Sequence, residues 1–219
     1  MSDETPDFIQ ATRSSYDAIA DAYSERHPDG LGDRPLERGL FTAFAELVRE
    51  TGSAPVADLG SGPGYVTARL SALGLPVFGV DLSPRMVELA RLAHPGLRFH
   101  VGSLTDLDLP DGTLGGIVAL YSIIHVPDER LSGTFAEFHR VLAPGGHILL
   151  CFQSGDEDDR LHLAERFGRE ISLDYHVRSP ETVAAHLAKA DLRVEARVLR
   201  EPYEDEARPR AFVLARKPA

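Results

Sequence analysis

Three glycines at alternate positions, Gly60, Gly62 and Gly64, follow the apolar run 56–59. A short apolar run that breaks into glycines before an amphipathic segment is typical of a buried parallel strand, a tight turn and a helix start. Glycine lets a ligand approach the backbone closely, and the helix N-terminus beyond it offers unpaired N–H groups to a negative group. The spacing therefore predicts a ligand-binding turn.

Two carboxylates accompany this turn. Asp58 precedes Gly60 by two residues, and Asp81 ends the apolar run 76–80. An acid about 20 residues after such a turn can accept both hydroxyls of a ribose, as the acid of the second strand does in nucleotide-binding folds. The dinucleotide fingerprint also needs a glycine at its sixth position, where this chain has Tyr65. This departure disfavours a nicotinamide oxidoreductase.

The run from Asp58 through the three glycines to Asp81 resembles the class I S-adenosylmethionine-dependent methyltransferases, and the resemblance extends over nearly the whole chain. It implies an α/β fold with a doubly wound, mixed sheet of seven strands in the order 3-2-1-4-5-7-6, the last strand antiparallel, and an N-terminal helical cap. The turn 143–146 before the predicted fifth strand fits the same family. S-adenosylmethionine is the implied cofactor, and methyl transfer is the implied reaction.

The resemblance also implies which residues contact the cofactor. They lie in the cap, in the glycine-rich turn and after the predicted strands: Tyr16, Tyr23, Asp58, Gly60, Ser61, Gly62, Gly64, Tyr65, Asp81, Leu82, Met86, Gly102, Ser103, Leu104, Leu120 and Tyr121. Ser103 stands where related enzymes commonly carry an aspartate, and a serine hydroxyl accepts from the adenine amino group more weakly. Tyr16 and Tyr23 share a helical face with Ile19, which we interpret as core. Core packing is also the alternative for Met86.

Residues 121–127 follow the predicted fourth strand, 114–120, at the edge where a doubly wound sheet binds its ligand. Methyl transfer from a sulfonium is an in-line displacement, so alignment carries much of the rate. A hydroxyl or protonated amine acceptor also needs a base, and histidine is the residue best matched to neutral pH. His125 is the candidate base, and a structural histidine bonded to backbone is the alternative. Tyr121 could line the pocket or orient the acceptor.

Several other segments carry weaker expectations. The turn-rich stretch 27–33 between two cap helices is a candidate lid, and the acidic run 154–159 is expected to be a solvated loop without a metal. Residues 171–177 alternate apolar and polar, which predicts a short strand or a flap over the acceptor pocket. Tyr175, His176 and Arg178 could then touch the substrate or lie on the surface.

The length of 219 residues predicts one domain with a full core. We divide it into a helical cap or lid (1–50), a cofactor-binding core (51–155) and a substrate-side insertion followed by a helix and a hairpin (156–219). No run approaches the roughly 18 apolar residues of a membrane span, and the N-terminus lacks a signal-peptide core. The single cysteine, Cys151, is expected to be an inert core thiol. We expect a cytoplasmic monomer or homodimer that does not bind membranes.

The net charge of −11 argues against a polyanionic partner. The sequence therefore predicts transfer of a methyl group to a small-molecule acceptor, on oxygen or nitrogen, with no nucleic acid as a partner. The rival from another class is a non-catalytic S-adenosylmethionine-binding module or partner subunit. Such a module would keep the turn and Asp81 but lack a base, so His125 argues against it.

Overall fold

The computed structural model describes residues 7–26, 34–155, 158–204 and 206–219. The helices are α1 (Asp7–Arg26), α2 (Pro35–Thr51), α3 (Tyr65–Ala72), α4 (Pro84–Ala93), a 3-10 turn (Ile123–His125), α5 (Asp128–Val141) and α6 (Pro180–Lys189). The strands are β1 (Val56–Leu59), β2 (Val77–Asp81), β3 (Arg98–Val101), β4 (Leu114–Leu120), β5 (Leu142–Gln153), β6 (Asp159–Arg166), β7 (Arg169–Val177), β8 (Arg193–Arg200) and β9 (Arg210–Arg216).

Seven of these strands form one mixed sheet in the order β3-β2-β1-β4-β5-β9-β8. Strands β1 to β5 are parallel, and β9 runs antiparallel to both β5 and β8. Every residue of β1 and β4 is buried, as expected for central strands covered on both faces. The predicted order and antiparallel last strand are confirmed, because β8 and β9 are the sixth and seventh strands of this sheet.

The sheet changes direction at β1. The chain proceeds from β1 outward to β2 and β3 on one side, and then returns to place β4 against the other side of β1. The connections after β1 and β4 therefore leave in different directions and open a crevice at their carboxyl ends. The glycine-rich turn and the segment after β4 face each other across this crevice.

Helix α1 is fixed to the residues that follow β2. The Asp17 carboxylate accepts hydrogen bonds from the Ser83 hydroxyl at 2.5 Å and from the Arg85 backbone N–H at 3.2 Å. The Arg13 guanidinium donates to the Leu82 carbonyl at 3.2 Å, and Ile19 on the opposite face is buried, as predicted. These contacts hold the cap beside the carboxyl end of β2. The candidate lid 27–33 lies outside the described residues.

Strands β6 and β7 form a separate two-stranded antiparallel hairpin. The alternation at 171–177 predicted β7, but its partner β6 was not predicted. Phe167 and Gly168 join the strands with φ angles of 54° and 72°, the two positive values of a type I′ turn. The hairpin packs on α1, where the Ser15 hydroxyl donates to the Ser172 carbonyl at 3.1 Å and accepts from its N–H at 2.9 Å.

The sequence signals for helix starts correspond to real caps. The Ser83 hydroxyl accepts from the Met86 N–H at 3.1 Å, and Ser179 accepts from the Thr182 N–H at 3.0 Å.

The predicted turn at 143–146 falls inside β5, where the pairing with β4 jumps from Leu142 to His147. The residues between them leave the ladder, so the turn is an irregularity in a longer strand.

Candidate active site

The three glycines of the turn after β1 serve three different needs. A side chain at Gly60 would put its Cβ 2.3 Å from the Ser122 Cβ, so this glycine lets the turn touch the segment after β4. A Cβ at Gly64 would lie 2.7 Å from the Phe99 ring. At Gly62 no described heavy atom lies within 4 Å of the Cβ position, so the backbone there faces open space. All three have positive φ, which L side chains rarely adopt.

The Asp81 carboxylate is oriented by the backbone around it. Its Oδ2 accepts from the Gly62 N–H at 2.7 Å and its Oδ1 from the Ser83 N–H at 2.9 Å. Each oxygen keeps a second lone pair for a ligand hydroxyl. Burial raises the pKa of Asp81 to about 6, although these N–H donors oppose the shift. The carboxylate is therefore ionised at neutral pH and able to accept from a diol.

Asp58 occupies a different environment from Asp81. It is buried beneath the turn and accepts a 2.6 Å hydrogen bond from the Thr67 hydroxyl of α3, and burial raises its pKa to about 7. Together with Ser61 and Tyr65 it borders a small cavity of about 50 Å³ rather than the main one. Its observed contacts tie β1 to α3.

One cavity of about 690 Å³ joins most of the predicted site residues. They come from α1, the glycine-rich turn and the carboxyl ends of β2, β3 and β4: Tyr16, Tyr23, Gly60, Gly62, Asp81, Leu82, Met86, Gly102, Ser103, Leu104, Leu120, Tyr121 and His125. The Ser103 hydroxyl already contacts the Thr105 hydroxyl at 2.7 Å and accepts from its N–H. Thr105 also lines the cavity, and the sequence analysis did not identify it.

His125 is held between two elements that are distant in sequence. Its Nδ1 lies 2.9 Å from the Asp174 carbonyl on β7, and its Nε2 lies 2.8 Å from the Tyr16 hydroxyl on α1. A carbonyl can only accept, so Nδ1 carries the proton and Nε2 accepts from Tyr16. Burial lowers the pKa of His125 to about 4, so the imidazole is neutral at physiological pH. The observed partner of His125 is thus Tyr16, which the sequence had assigned to the cofactor.

Tyr121 has a strained backbone at the end of β4. Its φ is 52°, in the left-handed region that is unusual for an aromatic residue, and its N–H donates to the Cys151 carbonyl at 2.8 Å. Burial, together with the Cys151 thiol beside it, raises the pKa of the Tyr121 hydroxyl. The Arg210 guanidinium lies 5.7 Å from its ring. Strain of this kind concentrates at functional sites.

A second polar group lines the cavity where α2 approaches the loop before β9. Glu206 forms a bidentate ion pair with Arg200 at 2.7 and 2.8 Å, and lies 3.5 Å from Arg34 and 3.7 Å from Arg210. The buried Glu37 carboxylate lies 3.5 Å from Arg200. No local pattern indicated this group, because Arg34 and Glu37 lie more than 150 residues from the segment 200–210.

The hairpin adds Arg166 and Tyr175 to the cavity wall. The Arg166 guanidinium donates to the Tyr175 hydroxyl at 2.7 Å and lies 5.5 Å from the Tyr23 ring. Tyr175 fulfils the expectation that this segment reaches the pocket. Arg178 was expected to touch the substrate or to lie on the surface, and it does neither. Its side chain is buried and donates to the Ile123 and Val126 carbonyls and to Asp128. Arg178 therefore supports the segment that carries His125.

Residues 7–26, 34–155, 158–204 and 206–219 also bear on metal binding and on membrane insertion. This part of the chain holds no group of three or more histidine, cysteine, aspartate or glutamate side chains placed to bind a metal ion. Its helices include none that is long and apolar enough to cross a membrane. Cys151 is a free, buried thiol, as predicted, and burial raises its pKa to about 12.

Residues 56–146, which span the glycine-rich turn and the sheet through β4, match a family model described as a methyltransferase domain. This part of the chain is therefore similar to a methyltransferase domain. The match agrees with the methyltransferase resemblance predicted from the turn and Asp81.

Among curated proteins, the chain is 31% identical over 111 residues to a demethylmenaquinone methyltransferase of Tropheryma whipplei, covering 50% of this chain and 46% of the relative. It is 34% identical over 137 residues to one from Chlorobaculum parvum, covering 61% and 56%. An uncharacterised methyltransferase of Mycobacterium tuberculosis is 33% identical over 119 residues, covering 54% and 47%. The chain thus spans about half the length of the curated relatives it matches.

Solved structures extend the likeness of the fold to the whole domain. The [4+2]-cyclase SpnF aligns with a TM-score of 0.74 and 16% identity over 98% of both chains. The CcbJ methyltransferase of Streptomyces caelestis aligns with a TM-score of 0.69 and 19% identity, covering 94% of this chain and 98% of CcbJ. At this identity the likeness concerns the fold alone, and proteins that share a fold can differ in the reaction they catalyse.

Proposed function

We propose that this protein binds S-adenosylmethionine and transfers its methyl group to a small-molecule acceptor, on oxygen or nitrogen. The observation that carries the proposal is the single cavity that links Gly62 and Asp81 to the Tyr16–His125 pair. One end of this cavity has the features of a nucleoside site, and the other has a neutral imidazole. We also propose the division into cap, core and substrate-side insertion, because residues of all three line this cavity.

The residues around Gly62 fit the cofactor. The space beside the Gly62 Cβ position is open, and the Asp81 oxygens retain lone pairs for the ribose hydroxyls. Met86 is buried and borders the cavity, so it offers an apolar surface to the adenine. Ser103 and Thr105 supply hydroxyls at the edge where the adenine amino group would lie. Tyr16 and Tyr23 cover the same cavity from α1.

S-adenosylmethionine held by Gly62 and Asp81 would supply an electrophilic methyl group to the acceptor and would keep the electron pair of the C–S bond on its sulfur. The protein must align the acceptor with this group and receive the proton that the acceptor loses. Nε2 of His125 is unprotonated and faces the Tyr16 hydroxyl. The acceptor proton therefore passes to the Tyr16 oxygen while the Tyr16 proton moves to Nε2, leaving a neutral tyrosine and an imidazolium.

Several observations favour a small acceptor. The net charge of −11 disfavours a nucleic acid, and the cavity is of the size that small-molecule sites have. Curated relatives are named demethylmenaquinone methyltransferase, so the screen includes a demethylated menaquinone as a test of the alternative that a ring carbon accepts the methyl group. The rival interpretation as a non-catalytic binding module gives a different outcome in the same assay, because it predicts binding without turnover.

The experiment is a screen of metabolites with S-adenosylmethionine labelled at the methyl group, using the whole protein. Transfer of label to at least one compound, reduced in Asp81→Ala when the cofactor is below saturation, is the expected result. Calorimetry with S-adenosylhomocysteine runs in parallel as a measure of cofactor binding alone. Binding without label transfer across the panel supports the non-catalytic module, and absence of binding removes the cofactor assignment.

A further inference from the structure

The cavity wall contains two guanidiniums whose charge no described carboxylate balances, the exposed Arg26 and the half-buried Arg166. Arg166 lines the cavity, and its polar contact is the neutral Tyr175 hydroxyl at 2.7 Å. Its other neighbours are aromatic rings, with the guanidinium 4.9 Å from the Phe167 ring and 5.5 Å from the Tyr23 ring. Two other arginines of the same wall, Arg34 and Arg210, both lie near the Glu206 carboxylate. A half-buried cation without a counterion is costly unless a ligand supplies the charge.

The residue that follows Arg166 has a strained backbone conformation. Arg166 is the last residue of β6, and the turn that follows puts Phe167 at φ 54°. A bulky side chain at positive φ is strained, and type I′ turns favour Asn or Gly at this position. The strained residue contributes a ring 6.5 Å from Tyr23 and 4.9 Å from the Arg166 guanidinium. Such strain at a cavity is expected where the position of the side chain matters.

The position of Arg166 indicates which ligand it faces. The ring of Tyr175, whose hydroxyl accepts from Arg166, lies 4.9 Å from the His125 ring, and His125 contacts Tyr16. Asp81, by contrast, is oriented by the backbone N–H groups of Gly62 and Ser83. Arg166 therefore lies with the acceptor half of the cavity rather than with the nucleoside half.

The geometry points to Arg166 as a specificity-determining residue that binds a carboxylate of the acceptor, which makes the acceptor a planar organic acid. A guanidinium presents two parallel N–H donors to the two oxygens of a carboxylate. The rings of Tyr16, Tyr23 and Tyr175 around it suit a flat substrate. This inference rests on the proposed function in one respect, namely that the bound acid is the acceptor of the methyl group. Binding of the acid by Arg166 does not itself require turnover.

The test measures binding, so it needs no knowledge of the natural acceptor. Calorimetry on the whole protein, saturated with S-adenosylhomocysteine, compares acetate, benzoate and cinnamate with their amides, which have nearly the same shape without the charge. We expect the planar acids to bind more tightly than their amides. Arg166→Met should weaken their binding by about 10- to 100-fold, the range of a charge-assisted hydrogen bond, and leave the amides unchanged.

Arg169→Met is the matched control. Arg169 pairs with Arg166 across the same turn but is exposed, so its loss changes the charge of the hairpin without changing the cavity. Arg166→Lys keeps the charge without the fork and should retain part of the preference, with thermal unfolding verifying that each variant is folded.

Three results overturn the inference. One is a wild type that binds no acid more tightly than its amide, and another is an equal effect of Arg169→Met. The third is weakened S-adenosylhomocysteine binding by Arg166→Met with the acid preference intact, because the arginine would then hold the carboxylate of the cofactor. A preserved acid preference without any methyl transfer counts against the proposed function only. Transfer to neutral acceptors without an acid preference counts against this inference only.

Discussion

The Tyr16 hydroxyl lies 2.8 Å from Nε2 of His125, although 109 residues separate the two in sequence. The imidazole is fixed from its other side by the Asp174 carbonyl, which leaves Nε2 as an acceptor. The cap helix, the segment after β4 and the hairpin thus meet at one hydrogen-bonded chain. If the proposed proton transfer is correct, neither residue can perform it alone.

Tyr16→Phe should lower kcat by about 10²- to 10⁴-fold, because it removes the oxygen through which we propose that the proton reaches Nε2, while it keeps the ring. His125→Ala should have a similar effect, and the double variant should lose no more than the worse single one, since the two act as a unit. Cofactor affinity should barely change. The measurement is steady-state kinetics on an acceptor identified by the screen.

Tyr203→Phe is the control for loss of a hydroxyl, because Tyr203 lies on the exposed loop between Arg34 and Arg200. It should leave kcat unchanged. Fully additive losses for Tyr16→Phe and His125→Ala would contradict a shared proton path. A raised KM with unchanged kcat would assign the pair to substrate orientation instead.

Cofactor binding should depend on pH through Asp81. Its pKa is raised to about 6, so the carboxylate that we propose accepts from the ribose becomes protonated as pH falls below that value. Affinity for S-adenosylhomocysteine should be constant above about pH 7 and decrease towards pH 5. Asp81→Asn should weaken binding by roughly 1.5–3 kcal/mol at pH 7.5 and flatten the dependence. Calorimetry across this range is the test, and an Asp81→Asn variant with the same pH dependence would show that another group titrates.

Gly62→Val should abolish cofactor binding, because its side chain would enter the open space beside the turn. A valine at φ +51° is also strained, so a control for strain is needed. Gly74 has φ +84° with no described atom within 4 Å of its Cβ position, and it is exposed after α3. Gly74→Val should therefore lose stability yet keep affinity. Equal loss of binding in both variants would attribute the effect to folding.

The sequence predicted most of the sheet because the relevant signals are local. Apolar runs, the glycine spacing and the serine caps each lie within a few residues, and they located β1, β2 and the start of α4. The hairpin was only half predicted. Strand β7 alternates in burial, whereas β6 is exposed along most of its length, so its residues carry no hydrophobic period.

The residues of the candidate site also differ in whether a local sequence pattern could identify them. Asp81 and Gly62 belong to a motif and were found from spacing, but Arg166 and the Glu206 group come together only through the tertiary fold. His125 was identified by its position after β4, while its partner Tyr16 was assigned to the cofactor alone. Contacts between distant segments leave no trace in the spacing of either segment, so no pattern could have paired them.

No measurable binding to duplex DNA or RNA is expected at physiological salt. Neutralising phosphates requires a basic surface, and the net charge of the chain is −11. A gel-shift assay with micromolar protein in about 150 mM salt is the check. A salt-sensitive shifted band would contradict the small-molecule proposal and turn attention to nucleic-acid acceptors.

Protein stability should depend on pH through His125. The pKa of its imidazole is lowered from the ordinary 6.5 to about 4 by burial, so between these values the unfolded chain takes up a proton that the folded chain does not. The contribution of His125 to the free energy of unfolding should therefore be complete above about pH 6.5 and decrease as pH falls to 4, by at most about 3 kcal/mol. Urea unfolding of the wild type and His125→Gln across this range measures it.

The comparison must be made as a difference between the two proteins, because Asp58 acts in the opposite direction. The pKa of Asp58 is raised to about 7, so its contribution is present at low pH and is lost as pH rises towards 7. Subtracting the His125→Gln profile from the wild-type profile cancels Asp58 and leaves the imidazole. His100→Gln, a change at an exposed histidine of β3, should reproduce the wild-type slope. If the His125→Gln slope also equals that of the wild type, the imidazole titrates normally in the folded protein, and the neutral Nε2 acceptor that the proton path requires is not maintained by burial.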